Sequence, residues 1–148
     1  MYKIILVPLD GSNRAEAILP HVKEMCRLYN AKMVLLRVTE PETVSFPDIS
    51  YTRKHQEYTE NLATLAESYL DRLKKDLSDE GIECTVCIKQ GPIVEAIINT
   101  AEQENADLIA IASHGRSGLQ RAFYGSVAAG VLHRVDRPLL LIRSRELS

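Results

Sequence analysis

The chain has 148 residues, of which 45% are hydrophobic and 26% charged. That suffices for one domain, residues 1–148, burying roughly 70% of the surface its unfolded form exposes without disulfide or metal support. Lys plus Arg (18) and Asp plus Glu (20) leave a formal net charge of −2, which argues against an extended polyanion such as nucleic acid and against a charged membrane surface as partner. No apolar run approaches the ~20 residues of a membrane span. The first apolar segment is too short for a signal peptide and meets Asp10 at once, so a cytoplasmic protein is expected.

Lys3–Leu9 is a near-continuous apolar run, the pattern of a strand buried on both faces of a parallel sheet. Ala15, Ile18, Val22, Met25 and Tyr29 then recur at helical spacing, with Ser12 suited to cap the start and Asn30 the end. A second strand, Lys32–Val38, leads into Glu40–Ser50, an irregular stretch with two prolines that is expected to overhang the strand ends as a flap. A long helix is predicted over about Tyr51–Glu80, striped by Tyr58, Leu62, Leu65, Tyr69 and Leu73, with Leu70 and Leu77 beside them and Gly81 as the stop. The third strand, Ile82–Lys89, holds Cys84 and Cys87. Residues three apart on a strand face opposite ways, so this CxxC reads as strand packing rather than a redox or metal pair. A third total cysteine, an odd number, also speaks against a secreted disulfide framework.

Ile93, Val94, Ile97, Ile98 and Ala101 mark a third helix, Asp107–Ala112 a fourth strand, Val127, Ala128, Val131, Leu132 and Val135 a fourth helix, and Pro138–Arg143 a last strand. Right-handed crossovers and two covered sheet faces make this alternation an α/β fold. The expectation is a five-stranded parallel doubly wound sheet of Rossmann-like type, strand order 3-2-1-4-5, with helices on both faces. Ligands bind such sheets outside the carboxyl ends of strands one and four, where the order reverses.

Two segments fall there. Asp10, in Val7-Pro8-Leu9-Asp10-Gly11-Ser12, can accept from ribose hydroxyls or hold a cation, or serve only as a turn former. After Ile111-Ala112 comes Ser113-His114-Gly115-Arg116-Ser117-Gly118, and the fourth helix begins near Gly125-Ser126. Small residues before a helix amino end admit an anion to backbone N–H groups, while the plain alternative is a glycine-containing loop with a capping serine. Residues 1–107 carry 12 basic and 18 acidic residues, and residues 108–148 carry six arginines and two acids. The glycine loop thus lies in the basic third, with Arg116 and Arg121 as candidate phosphate partners or surface residues. No GxGxxG, Walker lysine or GxSxG elbow occurs, and no catalytic residue is assigned. His114 reads as a phosphate contact or as loop structure, while a general-base role beside Ser113 or Ser126 lacks a third partner.

Taken together, VPLDGS and ASHGRSGLQRAFYGS resemble the universal stress protein family, across essentially the whole chain. The loop is similar to the G-2x-G-9x-G-S/T pattern of its ATP-binding branch, with Ala112 in place of the first glycine, Gly115 as the second, and Gly125-Ser126 at the close. The resemblance implies an ATP-binding regulatory or stress-response protein. It implies that Asp10 holds the ribose, the Val38 main chain meets the adenine, Pro8 and Leu9 wall the pocket, and Gly115, Gly125, Ser126 and Val127 cradle phosphates bridged by Mg²⁺ or Mn²⁺. It further implies a homodimer through the terminal strand Leu139–Arg143, whose apolar edge invites pairing on physical grounds as well. A slow ATPase or phosphoryl-transfer enzyme and a nucleotide-free dimerisation or adaptor module are the alternatives.

Overall fold

The computed structural model of the protein describes residues 1–40, 49–114 and 125–144. In chain order the elements are β1 (Ile4–Pro8), α1 (Asn13–Glu16), α2 (Leu19–Tyr29), β2 (Lys32–Thr39), α3 (Ile49–Asp79), β3 (Cys84–Gln90), α4 (Ile93–Gln103), β4 (Leu108–His114), α5 (Ser126–Arg134) and β5 (Leu139–Ser144). The strands form one parallel sheet of order β3-β2-β1-β4-β5, the expected doubly wound arrangement. Both faces are covered, which is why the central strands are apolar without alternation. Ile5, Val7, Met33 and Leu35 pack with Ile18, Val22, Leu70 and Leu77 on one face; Leu6, Val34 and Leu36 pack with Ile97, Ala101, Ala128 and Val131 on the other.

Cys84 joins the first of these cores and Cys87 packs against the second, so the CxxC straddles the sheet as the strand period requires. All three cysteines are free, and burial pushes each thiol up to about 11.

Four local expectations are corrected. The first helix is two: Ala17 and Ile18 donate to carbonyls three residues back, and Pro20, near the start of α2, has no N–H to continue an α-helical ladder. Ser12 caps the short piece, its hydroxyl accepting from the Ala15 N–H, and Asn30 closes α2 in a left-handed conformation. On α3 the buried residues are Ala66, Leu70 and Leu77, while Leu65 is 68% and Tyr58 52% exposed. A helix of 31 residues is roughly 46 Å long and outruns the short strands, and its buried side chains among the described residues lie in its later turns. Next, β4 continues through Ser113 and His114, which pair with Arg143 and Ser144 of β5. Leu132, expected in the core, stands 47% exposed on the flank of α5. The flap expected at Glu40–Ser50 falls, from residue 41 to residue 48, outside the described residues.

Candidate functional site

The site begins with a break in hydrogen bonding. Lys3 C=O accepts from Lys32 of β2, and Leu9 N–H donates to Leu36 of β2, so odd-numbered residues of β1 face β2 and even-numbered ones face β4. Pro8 is even-numbered and has no N–H. The β1–β2 register runs over five residue pairs to Pro8–Leu36, whereas β1–β4 holds only Ile5–Leu108 and Leu6–Ile109. Beyond Leu6 the two strands part, and a cleft opens at their carboxyl ends.

The cleft is open to solvent, and the space within it that water-sized groups can occupy is about 140 Å³. Pro8 lines it from the end of β1, Leu9 and Asp10 from the turn that follows, Val38 from β2, Ala112 from β4, and Gly125, Ser126 and Val127 from the cap and first turn of α5. Sequence reasoning had placed all eight at the site. Gly115 and Arg116 lie outside the described residues, and so does the side chain of His114. Ser113 takes no part: its buried hydroxyl donates to the Ile142 carbonyl of β5 at 3.3 Å.

Arg14 and Arg37 also line the cleft, and sequence reasoning missed both. Arg14 Nη2 donates to Asp10 Oδ2 at 2.8 Å, and Nη1 donates to the Ala112 carbonyl at 3.3 Å. The guanidinium therefore reaches across the gap that Pro8 leaves. The i,i+4 spacing of Asp10 and Arg14 was the available signal. Asp10 Oδ1 accepts from both the main-chain N–H and the hydroxyl of Ser12. Burial works to raise this carboxyl; the Ser12 hydrogen bonds and the charges of Arg14 and Arg37 outweigh it and hold Asp10 below the usual carboxylate range. On the cleft's flank the Tyr69 hydroxyl donates to Glu16 at 2.7 Å, and burial, then that bond, keeps the phenol neutral far above its ordinary range.

Of the helices that start at this edge of the sheet, α4 and α5 differ in how their amino ends are satisfied. At α4, Glu40 reaches over and accepts from the Ile93 N–H at 2.8 Å. At α5, no side chain among the described residues caps the end, and the preceding Gly125 sits at φ 80°, ψ 158°, a backbone conformation nearly confined to glycine. N–H groups without a side-chain cap among the described residues, together with the helix dipole, suit that end to anions. Val38 completes the wall: Leu36 presents its carbonyl to β1, and Val38, two residues on, presents its main chain to the same side just past the last ladder pair.

The universal stress protein family profile matches residues 1–143. The chain belongs to this family. Universal stress protein MJ0577 of Methanocaldococcus jannaschii is 31% identical over 98% of this chain and 97% of its own length. The solved structure of MJ0577 superposes with a TM-score of 0.83 at 32% identity, covering 100% of this universal stress protein and 99% of that chain. Two more distant solved structures share the fold at 20% identity. One is a universal stress protein in complex with cAMP (TM-score 0.65, covering 97% of this chain and 98% of its own). The other is the Archaeoglobus fulgidus universal stress protein in complex with dAMP (TM-score 0.59, covering 96% and 98%). Among the described residues of this universal stress protein, no helix is long and apolar enough to cross a membrane.

Proposed function

We propose that this universal stress protein binds ATP in the cleft between β1 and β4 and works as a nucleotide-dependent switch in a stress response. One observation carries the reading: a single cleft sets an ionised Asp10 opposite the amino end of α5, which no side chain among the described residues caps. An acceptor for ribose hydroxyls facing a donor set for phosphate is the pairing that a nucleotide needs. In this reading Asp10 holds the ribose, Pro8, Leu9 and the Val38 main chain enclose the base, and Gly125, Ser126 and Val127 meet the phosphates, with Ala112 at their edge. His114, Gly115 and Arg116 belong to the same phosphate loop by the family pattern. Relatives crystallised with cAMP and dAMP support adenine nucleotides as the ligand class.

Among the described residues, no three metal-ligating side chains stand together. In this reading Mg²⁺ or Mn²⁺ would accompany the nucleotide and would offset phosphate charge. We also place the protein in the cytoplasm as a homodimer formed along β5. Leu139, Leu140, Leu141 and Ile142 of this edge strand are only half-buried in the single chain, which supports that pairing.

Calorimetric titration with ATP and Mg²⁺ tests the binding. Saturable heat and a raised thermal midpoint are expected, and the absence of both at millimolar ATP overturns the reading. Chromatography of the supernatant from denatured, untreated protein is a second check, with released adenine nucleotide as the expected result.

A further inference from the structure

Arg14 is more than a partner for Asp10. Its side chain is 17% exposed, against 47% for Asp10, so the guanidinium is the more enclosed half of the pair. It is fixed at two points: Asp10 takes one N–H from Nη2, and the Ala112 carbonyl takes one from Nη1. A guanidinium carries five N–H donors in a rigid plane. Three therefore have no acceptor among the described residues, in a cleft that the same side chain lines. Charge points the same way. Asp10 contributes one negative charge to the cleft, and Arg14 and Arg37 contribute two positive ones, so the wall around the proposed ribose site is net cationic rather than acidic. The fork-shaped donor set matches phosphate geometry better than a neutral sugar.

From these contacts we infer that Arg14 is a specificity-determining residue that reads the phosphate nearest the ribose. The inference rests on the nucleotide reading above and divides the anion-binding work of that site. Arg14, tied to the ribose-holding carboxylate, takes the phosphate attached to the sugar. The amino end of α5 takes the phosphates beyond it. Arg14 also cancels the charge of Asp10, which would otherwise repel any phosphate held beside it.

Affinities for adenosine, AMP and ATP, measured by calorimetry on the full-length protein and on Arg14→Gln, Arg14→Lys and Ser126→Asp, separate these roles. A charge-assisted contact is worth roughly a tenfold to a hundredfold change in affinity. In Arg14→Gln the preference for AMP over adenosine is expected to fall by about that factor while the preference for ATP over AMP stays within about twofold. Arg14→Lys is expected to recover part of the loss, because it keeps the charge without the fork. Ser126→Asp is expected to do the reverse, lowering the preference for ATP over AMP. Equal losses for adenosine and AMP in Arg14→Gln overturn the inference and reduce Arg14 to a brace for Asp10; so does an unchanged AMP-to-adenosine ratio. Far-ultraviolet circular dichroism of each variant establishes that it is folded, and Arg14→Lys carries the test should Arg14→Gln not be. Failure of the wild-type protein to bind any of the three ligands would instead remove the nucleotide reading, and this inference with it.

Discussion

Asp10 receives two hydrogen bonds from Ser12, the main-chain one being that of an Asx turn, and a third from Arg14 that a turn does not require. Replacing it by Asn keeps the shape and removes the charge. Asp10→Asn is expected to weaken ATP binding by about tenfold or more, as hydrogen bonds to charged acceptors are lost, and calorimetry reads this directly. The acid limb of stability should change too. Because the folded Asp10 has a lowered pKa, the unfolded chain binds the proton more readily, so stability rises with pH across the carboxylate range and its contribution is lost as pH falls through the folded value. Denaturation followed between pH 5 and pH 2 should show a shallower dependence in Asp10→Asn than in the wild type. The cysteines give an independent prediction. With thiols pushed up to about 11 by burial, little thiolate exists near neutral pH. Native protein at pH 7.5 is expected to react with iodoacetamide far more slowly than denatured protein, and fast labelling of Cys84 and Cys87 in the native state would restore the redox reading of that pair.

Among the elements, α5 carries the most consequence for its length. Its start is set by Gly125, and its axis is set by Gly130, where an added Cβ would lie 2.6 Å from Val94 Cγ2 on α4. Gly130→Ala gains helix propensity worth about 1 kcal/mol but overpacks the α4–α5 contact at a cost of about 1–3 kcal/mol. Net destabilisation of about 1 kcal/mol is expected, lowering the melting temperature by roughly 2–4 °C, and Val94→Ala in the same chain should relieve it. Gly125→Ala is expected to cost about 1–3 kcal/mol from backbone strain alone, and to weaken nucleotide binding besides. At this scale the sequence was readable wherever period and punctuation agreed, as in α4 or in the stop of α3 at Gly81. It misled where the period ran on through a break. Ala15, Ile18 and Val22 keep helical spacing across the α1–α2 junction, and only the missing N–H of Pro20 reports that the ladder is cut. The stripe through Tyr58 and Leu65 likewise has helical spacing, but no strand extends far enough to cover it.

For the molecule as a whole, strand order and the place of the cleft followed from the alternation of apolar runs, because two-sided burial and right-handed crossovers leave few arrangements. Charge followed less well. The basic final third points to Arg116 and Arg121, which lie outside the described residues, and gives no sign of Arg14 and Arg37, the cations from the acidic part of the chain that line the cleft among the described residues. A tally along the chain cannot report which charges the crossovers bring to one edge of a sheet. The dimer proposed along β5 belongs to this scale. Sedimentation equilibrium at micromolar protein is expected to give twice the chain mass, and Leu141→Lys, on the exposed edge, to return the monomer; a wild-type monomer removes the proposal.

The short ladder between β1 and β4 has a mechanical consequence. Two residue pairs join β3-β2-β1 to β4-β5, against seven, five and six pairs at the other junctions, so the sheet has a seam running directly beneath the cleft. A ligand held by Asp10 on one bank and α5 on the other acts as a staple across it. Amides along the seam are expected to exchange with deuterated solvent faster than those between β1 and β2 in the free protein, and to slow most when ATP is added. Binding would then be felt as a stiffening that joins two half-sheets into one body.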